Sequence, residues 1–318
     1  MKTLLLSKML ILHHWDTDGI CSASLLYKDG IDLMTPTIGN YFLTDDEIEQ
    51  IEKKGYEEIY IVDLALHENS LKRLTEIAKI KVFDHHLTKK LNGVEYINPI
   101  IEGKSEEDFP SASWVVGNYL SQKNLLAFLG VVGDWEERIK NTKFYSKLEK
   151  FMEENGLSFE EMHDMVKLID ANYKVGDKKE VENAPKLLAN AENKKEFIIS
   201  NKKWNENKKK IEEEIKKALE AEEEIVNGIL IKRIKSKCNI ISTVARELWK
   251  KNDYVIVIND KFFEKDSQVY VRGKDVYHLI DLAKSKGYVA GGKKNVVGAI
   301  VPKEECEEFV EIILEKIK

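Results

Sequence analysis

The chain has 318 residues, of which 43% are hydrophobic and 33% charged, enough apolar material for packed cores beneath a charged surface. A single core rarely serves more than about 250–300 residues, so we expect two domains. The net charge of −6 excludes a chain that is basic throughout. Its apolar runs fall short of the roughly 18–20 residues of a membrane span, and its three scattered cysteines exclude a disulfide framework. We therefore expect a soluble, cytoplasmic protein.

The first predicted strand, Met9–His13, is a short apolar run that ends at polar residues. It is followed by a loop that carries His14, Asp16 and Asp18, and then by an apolar helix predicted over 20–27. In an extended loop, the two carboxylates can each bind a different cation. The alternative is an acidic cap at the N-terminus of a helix, which is common.

Two further apolar strands end in acidic or histidine residues. One ends at Asp63, and the next runs directly into Asp84, His85 and His86. Helices predicted between the strands give a βαβ alternation, which is typical of a parallel sheet. Since ligands bind outside the carboxyl ends of such strands, we expect these side chains to converge. Taken alone, an Asp after an apolar strand also suits a simple turn.

A very apolar segment over 125–132 precedes Gly133 and Asp134. An Asp at the end of a buried helix is unfavourable with the helix dipole unless a cation offsets its charge. The alternative is a surface Asp after a glycine that ends the helix. The segment 144–173 is predicted to be helical, and we assign residues 1–190 to the first domain.

Residues 191–225 are highly charged with few apolar residues, so we expect a solvated helix that connects two domains. The second domain, 226–318, has predicted strands near 228–232, 254–258 and 268–272, with helices between them. It carries 18 Lys and Arg residues against 13 Asp and Glu residues, so the remainder of the chain is acidic. An acidic part and a basic part suit a cation site that faces a surface for a polyanion.

Two glycines and two lysines stand together in the second domain. Backbone N–H groups at Gly291 and Gly292 can approach an anion closely, and Lys293 adds a positive charge. This predicts a phosphate cradle. The alternative is a hairpin turn with solvated lysines.

The candidate ligands of the first domain are carboxylates and imidazoles: His14, Asp16, Asp18, Asp63, His85 and Asp134. Six such ligands are more than one ion needs. They favour Mn²⁺ or Mg²⁺ over Zn²⁺, Co²⁺ or Fe²⁺. A carboxylate that bridges two ions about 3.5–4 Å apart suits in-line displacement at phosphorus. The predicted reaction is hydrolysis of a phosphoester or phosphoanhydride.

These motifs, in this order, resemble those of the DHH phosphoesterase superfamily: His14-x-Asp16-x-Asp18-Gly19, Asp63 after a strand, Asp84-His85-His86, and Gly133-Asp134. The resemblance covers the whole chain. It implies an α/β fold, with a parallel-sheet DHH domain, a connecting helix and a smaller α/β C-terminal DHH-associated domain. The tight spacing of His14 and Asp16 is more similar to RecJ-type exonucleases and their archaeal relatives than to family II pyrophosphatases.

The resemblance also implies roles for the ligands. One ion would be held by His14, Asp16 and Asp63. The other would be held by Asp18, Asp63, His85 and Asp134. Asp63 would then bridge the two ions.

Roles outside the ligand set follow from the same resemblance. His86 would face the substrate phosphate, and Asp84 would orient a histidine. Arg272 is similar to the substrate-clamping arginine of the family. The stretch 290–293 resembles the Gly-Gly-Gly-His motif of RecJ-like nucleases, nano-RNases and cyclic-di-AMP phosphodiesterases, with Ala for one Gly and Lys293 for the His.

The resemblance implies a Mn²⁺-dependent phosphodiesterase with two ions, for which Mg²⁺ or Co²⁺ are alternatives. Its substrates would be single-stranded RNA or DNA, or short oligonucleotides, cut to mononucleotides. One alternative is a hydrolase of cyclic dinucleotides, linear dinucleotides or 3′-phosphoadenosine 5′-phosphate. Another is a catalytically silent DHH scaffold in a replication or repair complex. A homodimer and a repair or replication partner protein both stay open, and no membrane partner is expected.

Overall fold

The computed structural model describes residues 8–40 and 42–317. The chain divides into two compact units. The N-terminal unit comprises the chain up to Tyr173 together with Asp177–Lys208, and the C-terminal unit comprises Lys174–Gly176 together with the chain from Lys209 onward. Among the helices of the described ranges, none has the length and apolar character to cross a bilayer.

In the described part of the N-terminal unit, the sheet has five strands, all parallel, in the order β2-β1-β3-β4-β5. They are β1 Met9–His13, β2 Asp32–Met34, β3 Glu58–Val62, β4 Lys79–Phe83 and β5 Val94–Ile97. The three central strands end in register, since His13 lies opposite Val62 and Val62 lies opposite Phe83. The residues that follow them therefore emerge side by side at one edge. The predicted parallel α/β fold is confirmed.

Helices pack on both faces of this sheet. The α-helices of the unit are α1 Thr17–Leu26, α2 Asp45–Lys54, α3 Glu68–Ile77, α4 Ala112–Tyr119, α5 Leu125–Trp135, α6 Tyr145–Asn155, α7 Phe159–Lys174, α8 Lys178–Asn190 and α9 Lys194–Ser200. Leu10 and Leu12 of β1 pack with α2 and α3. Ile11, between them, packs on the opposite face with α1 and α4. This alternation is the period-two pattern of a strand that is buried on both faces.

Between residues 191 and 225, where one connecting helix is predicted, the chain forms two helices and a strand. After α9 the chain forms α10, Lys202–Glu220, and then a strand, β6 Glu223–Val226. Asn201 separates the two helices, because its side-chain oxygen accepts a hydrogen bond from the backbone N of Trp204 and so starts a new helix. The stretch is also not solvated all round. Trp204 is fully buried, and its indole N–H donates to Glu180 at 2.8 Å.

Within the residues that the structure describes, the C-terminal unit contains a six-stranded mixed sheet in the order β10-β11-β9-β8-β7-β6, in which β7 and β8 are parallel and the other neighbouring strands are antiparallel. The further strands are β7 Ile229–Ile234, β8 Val255–Asn259, β9 Asp266–Arg272, β10 Val289–Lys293 and β11 Val296–Pro302. Its helices are α11 Ile241–Trp249, α12 His278–Ser285 and α13 Cys306–Lys316. The second α/β unit is thus as predicted.

The glycine pair of this unit lies inside β10 and not in a turn. β10 and β11 pair up to Lys293 opposite Val296, which leaves Lys294 and Asn295 as the hairpin turn. A Cβ at Gly292 would lie 2.0 Å from the carbonyl oxygen of Val296. The glycine therefore permits the close approach of the two strands. In place of the predicted turn, residues 291–293 form part of an exposed edge strand, and phosphate binding by them stays a prediction.

Candidate metal centre

Three strand ends bring the motif residues together. The backbone N of His14 donates to the carbonyl of Val62 at 3.1 Å, and that of Asp63 donates to the carbonyl of Phe83 at 2.9 Å. These bonds continue the sheet by one residue beyond the strands. Asp63 has a φ of 57°, in the left-handed region that Asp and Asn tolerate better than other residues with a side chain. The chain thus turns sharply at the point where its carboxylate enters the site.

The first ligand cluster is formed by His14, Asp16 and Asp63, whose ligand atoms lie within 4.8 Å of one another. His14 Nδ1 lies 2.9 Å from Asp16 Oδ2 and 3.5 Å from Asp63 Oδ2. The other oxygen of Asp16 accepts a hydrogen bond from the backbone N of Gly19 at 3.1 Å and caps α1. The two interpretations of Asp16 are therefore compatible, because one oxygen caps the helix while the other faces the cluster.

The second ligand cluster is formed by Asp18, His85 and Asp134. His85 Nε2 lies 3.1 Å from Asp134 Oδ2 and 3.9 Å from Asp18 Oδ2. It also lies 3.5 Å from Asp63 Oδ1. Asp63 therefore directs one oxygen to each cluster, Oδ2 to His14 and Oδ1 to His85.

Asp84 and His86 form a pair at the same edge. Asp84 is buried, and its Oδ1 accepts hydrogen bonds from the backbone N of His85 at 2.8 Å and of His86 at 3.3 Å. The same oxygen lies 2.8 Å from His86 Nδ1. The side chain of His86 is nevertheless 48% exposed. Asp84 thus fixes the ring orientation of a histidine that solvent and a ligand can reach.

The donor set of the two clusters fits divalent cations. Within the described part of the chain, the buried Nε2 of His85 makes no hydrogen bond, although three carboxylates lie within 4 Å of it. Once it has lost its proton, such a nitrogen can ligate a cation. Carboxylate oxygens with imidazole nitrogens suit Mn²⁺ and Mg²⁺ best, and Zn²⁺, Co²⁺ or Fe²⁺ less well. Both clusters can hold a metal ion, and they share the carboxylate of Asp63.

The sequence of this unit matches a known family. Residues 8–132 match the model of the DHH family, N-terminal domain. Residues 8–132, within the N-terminal unit, therefore match a DHH domain. The predicted relationship to the DHH superfamily is thereby confirmed. The comparison with curated proteins found no match.

Solved structures share the fold at low sequence identity. The Mn²⁺ complex of RecJ from Thermus thermophilus has a TM-score of 0.70 at 14% identity, over 97% of this chain and 52% of RecJ. This chain thus spans about half the length of that relative. The DHH domain of a protein from a ribosomal-protein family has a TM-score of 0.70 at 16% identity, over 98% of this chain and 86% of that one. The pGpG-specific phosphodiesterase PggH from Vibrio cholerae has a TM-score of 0.51 at 13% identity, over 98% of both chains.

Residues that no sequence motif indicated fix the position of the Asp18 carboxylate. Its two oxygens accept hydrogen bonds from the backbone N of Ala112, at 2.6 Å, and of Ser113, at 2.8 Å. These residues begin α4, and a helix N-terminus favours a negative charge. On α5, a Cβ at Gly130 would lie 2.2 Å from Asp18 Oδ1. The signal in the sequence was a glycine within a very apolar helix.

Burial and crowding shift the pKa values of the ligands. Burial raises the pKa of Asp18 well above its usual range, and the charges of Asp63 and Asp134 raise it further. Burial likewise raises the pKa of Asp63, with a contribution from Asp16. Burial opposes a charge on His85, but the carboxylates of Asp134 and Asp63 outweigh it and raise its pKa well above the usual value. The carboxylates therefore need positive charge to stay ionised together.

The remaining candidate residues lie in the C-terminal unit. Arg272 ends β9, and its guanidinium carbon lies 5.7 Å from the ring centres of Trp249 and of Tyr270. Val296 of β11 lies opposite Arg272 on one side and opposite Lys293 on the other. Residues directly opposite one another share a face of the sheet. The unit thus brings Arg272 and Lys293 to one face, with Gly291 and Gly292 in the strand that carries Lys293.

Proposed function

We propose that this protein is a divalent-metal-dependent phosphodiesterase that cleaves single-stranded RNA or DNA, or short oligonucleotides, to mononucleotides. The observation that carries the proposal is the contact pattern of Asp63. One buried carboxylate lies 3.5 Å from His14 of the first cluster and 3.5 Å from His85 of the second. A carboxylate shared between two ligand clusters suits a bridged pair of cations.

We propose Mn²⁺ as the cation, with Mg²⁺ or Co²⁺ as alternatives. When bound, such a pair supplies an activated water and neutralises charge on the phosphoryl oxygens. The solved RecJ structures include complexes with Mn²⁺ and with Mg²⁺, which supports this choice. The carboxylates and imidazoles of this chain would hold the ions, and α4 would hold Asp18 in place for the second one.

His86 is the residue that we propose to contact the substrate. Nδ1 of His86 donates to the Asp84 carboxylate, and in the imidazolium form of the ring Nε2 also carries a proton, which it can donate to a phosphoryl oxygen. In the C-terminal unit we propose Arg272, Gly291, Gly292 and Lys293 for substrate binding. Two cations on one face of a sheet suit the phosphates of an oligonucleotide.

A dinucleotide phosphodiesterase is the second candidate. This chain and the pGpG-specific enzyme PggH cover 98% of each other, whereas RecJ from Thermus thermophilus is about twice as long. The similarity to PggH over 98% of both chains supports this second candidate. Competition between pGpG and a long single-stranded oligomer in one reaction separates the two candidates, because the preferred substrate suppresses cleavage of the other.

A silent scaffold is disfavoured by the complete ligand set. CDC45 from Entamoeba histolytica shares the fold of this chain, with a TM-score of 0.54 at 10% identity. Here, however, both clusters retain every carboxylate and imidazole that the sequence motifs predicted. A scaffold has no need to keep mutually repelling carboxylates buried together.

The test is product analysis on the full chain. Single-stranded RNA and DNA labelled at the 5′ or 3′ end, and pGpG, are incubated with Mn²⁺, Mg²⁺ or Co²⁺. We expect mononucleotides, their loss with a chelator and their loss in Asp63→Asn. Asp164→Asn is a matched control, because Asp164 is exposed and pairs with Lys167 at 3.0 Å on α7, away from both clusters. The proposal fails if the folded wild-type chain releases no mononucleotide from any substrate with any of these ions.

A further inference from the structure

Thr17 makes an unusual pair of hydrogen bonds at the start of α1. Its backbone N donates to Asp170 Oδ1 at 3.0 Å, and its side-chain hydroxyl donates to the same oxygen at 2.6 Å. Thr17 is buried, at 1% exposure. The first N–H groups of a helix have no partner within the helix, so a side chain that accepts from them fixes the helix start. Asp170 provides this acceptor from α7.

Thr17 stands between one residue of each ligand cluster. Asp16 precedes it and belongs to the cluster of His14, whereas Asp18 follows it and belongs to the cluster of His85. Any rotation of the backbone at Thr17 therefore changes the direction of both carboxylates. A single clamp at this residue can set the two clusters relative to each other.

A second contact joins α7 to the same loop. The ring of Trp15 lies 4.5 Å from that of Tyr173 and 4.1 Å from that of His14. Tyr173 lies three residues after Asp170, on the same face of α7. Helix α7 spans Phe159–Lys174 and so lies beyond the DHH family match, which ends at residue 132.

We propose that Asp170 is a positioning residue of the metal centre, which clamps Thr17 and thereby directs Asp16 and Asp18 towards their cations. Helix α7 is then part of the site, although it lies outside the matched domain. The inference rests on the metal binding within the proposed function. Replacing a group that orients metal ligands without itself binding the metal typically reduces metal affinity or activity about 10- to 100-fold.

Two variants of Asp170 separate positioning from charge. Asp170→Ala removes both hydrogen bonds and the charge. Asp170→Asn removes the charge but keeps an oxygen that accepts from Thr17. If Asp170 acts by positioning, Asp170→Asn retains most of the metal affinity that Asp170→Ala loses. If Asp170 acts only by attracting cations through its charge, the two variants lose the same affinity.

A parallel pair of variants tests the other side of the contact. Thr17→Val removes the hydroxyl that donates to Asp170, and Thr17→Ser keeps it. This pair decides the question even if Asp170→Ala does not fold. Asp164→Ala, on the exposed side of the same helix, is the matched control for loss of an aspartate.

The measurement is calorimetric titration of the metal-free full chain with Mn²⁺, together with the electron paramagnetic resonance spectrum of the bound ions. We expect Asp170→Ala and Thr17→Val to weaken Mn²⁺ binding about 10- to 100-fold and to reduce the spin-coupled signal of an ion pair. Asp170→Asn, Thr17→Ser and Asp164→Ala should bind almost as the wild type does. Thermal unfolding of each metal-free variant reports any purely structural effect.

Three results would overturn the inference. One is that Asp170→Ala or Thr17→Val binds Mn²⁺ as the wild type does and only unfolds at a lower temperature without metal. The contact would then stabilise the fold without positioning the ligands. Another is equal loss in Asp170→Asn and Asp170→Ala. The third is a wild-type chain that binds no Mn²⁺; the proposed function is then still tested separately, by hydrolysis with Mg²⁺ or Co²⁺. If the wild type binds Mn²⁺ but hydrolyses nothing, the proposed function fails alone, because the positioning test measures binding.

Discussion

Asp63 combines a left-handed backbone with a buried carboxylate that contacts both ligand clusters. Few residues meet both demands, because a φ of 57° is costly for most side chains with a Cβ. Asn shares the tolerance of Asp for this conformation, whereas Ala does not. Asp63→Asn is therefore a sharper probe than Asp63→Ala, since it changes the charge without straining the backbone.

For Asp63→Asn we expect a higher metal-free stability and a smaller stabilisation by metal. Burial and the neighbouring Asp16 raise the pKa of Asp63, so its ionised form destabilises the metal-free fold at neutral pH. Replacing it by a neutral group removes that cost. Thermal unfolding with a chelator and with Mn²⁺ checks both effects. A variant that is less stable without metal, yet equally stabilised by Mn²⁺, would contradict this explanation.

Gly130 gives a second prediction for a single residue. Gly130→Ala should gain about 1 kcal/mol of helix propensity. Its Cβ, however, would lie 2.2 Å from Asp18 Oδ1 and 2.0 Å from Ser113 Oγ. Such overpacking typically costs about 1–3 kcal/mol, and here it also displaces a metal ligand.

We therefore expect Gly130→Ala to lose both stability and Mn²⁺ affinity, measured by thermal unfolding and by titration. The comparison is Gly133→Ala on the same helix, where the nearest atom to the new Cβ is Thr17 Cβ at 3.1 Å. The second variant should lose much less. Equal effects in the two variants would mean that the space around Asp18 is not the limiting factor.

At the scale of elements, the sequence predicted features that depend on neighbouring residues, but it did not predict contacts between residues far apart in the chain. Each ligand of the central strands follows an apolar run, and a βαβ alternation brings such strand ends to one edge, so Asp63 and His85 were found. The contacts of Asp18 with α4 and of Thr17 with Asp170 join residues 94 to 153 positions apart. No periodic pattern in the sequence reports them.

The missed elements also have physical reasons. The edge strands β2 and β5 have three and four residues, too short to show an alternating pattern. The break between α9 and α10 depends on one capping side chain, Asn201, within an otherwise helical composition. Glycine in a turn is far commoner than glycine that permits two strands to pair closely. A glycine pair in the sequence therefore predicts a turn, although this pair lies in β10.

Lys232 joins two elements of the C-terminal unit. Its side chain is fully buried in β7, and its Nζ donates to the carbonyls of Leu219, at 2.8 Å, and Ala221, at 2.5 Å, at the end of α10. It also pairs with Glu223 of β6 at 3.0 Å. The lysine thus caps the helix and holds the turn into the next strand.

Lys232→Met should therefore destabilise this unit by about 1–3 kcal/mol, since it removes the donor from two part-buried carbonyl groups. Denaturant unfolding measures the change. Lys235→Met, at an exposed position on the same segment, is the control and should have little effect. If the two variants had the same midpoint, the hydrogen bonds of Lys232 would contribute nothing net.

At the scale of the whole molecule, every ligand of the candidate metal centre lies in the N-terminal unit. Each unit has a hydrophobic core of its own. Metal binding should therefore stabilise one unit directly. A ligand at 100 times its dissociation constant adds about 2.7 kcal/mol to the stability of the state that binds it.

We expect Mn²⁺ to raise the unfolding temperature of the N-terminal unit and to leave that of the C-terminal unit unchanged. Differential scanning calorimetry measures the unfolding transitions of the two units. Trp249 is the only tryptophan in the sequence of the C-terminal unit. In a variant whose other tryptophans are replaced by phenylalanine, its fluorescence therefore identifies the transition of that unit. A Mn²⁺-dependent shift of the C-terminal transition alone would contradict the location of the site.

The most direct measurement is the number of Mn²⁺ ions bound per chain in the wild type and in Asp63→Asn, by titration of the metal-free proteins under the same conditions. A pair of ions bridged by Asp63 predicts two ions in the wild type and at most one bound with comparable affinity in the variant. A wild type that binds fewer than two ions, or a variant that binds two as tightly as the wild type does, would contradict a shared metal centre.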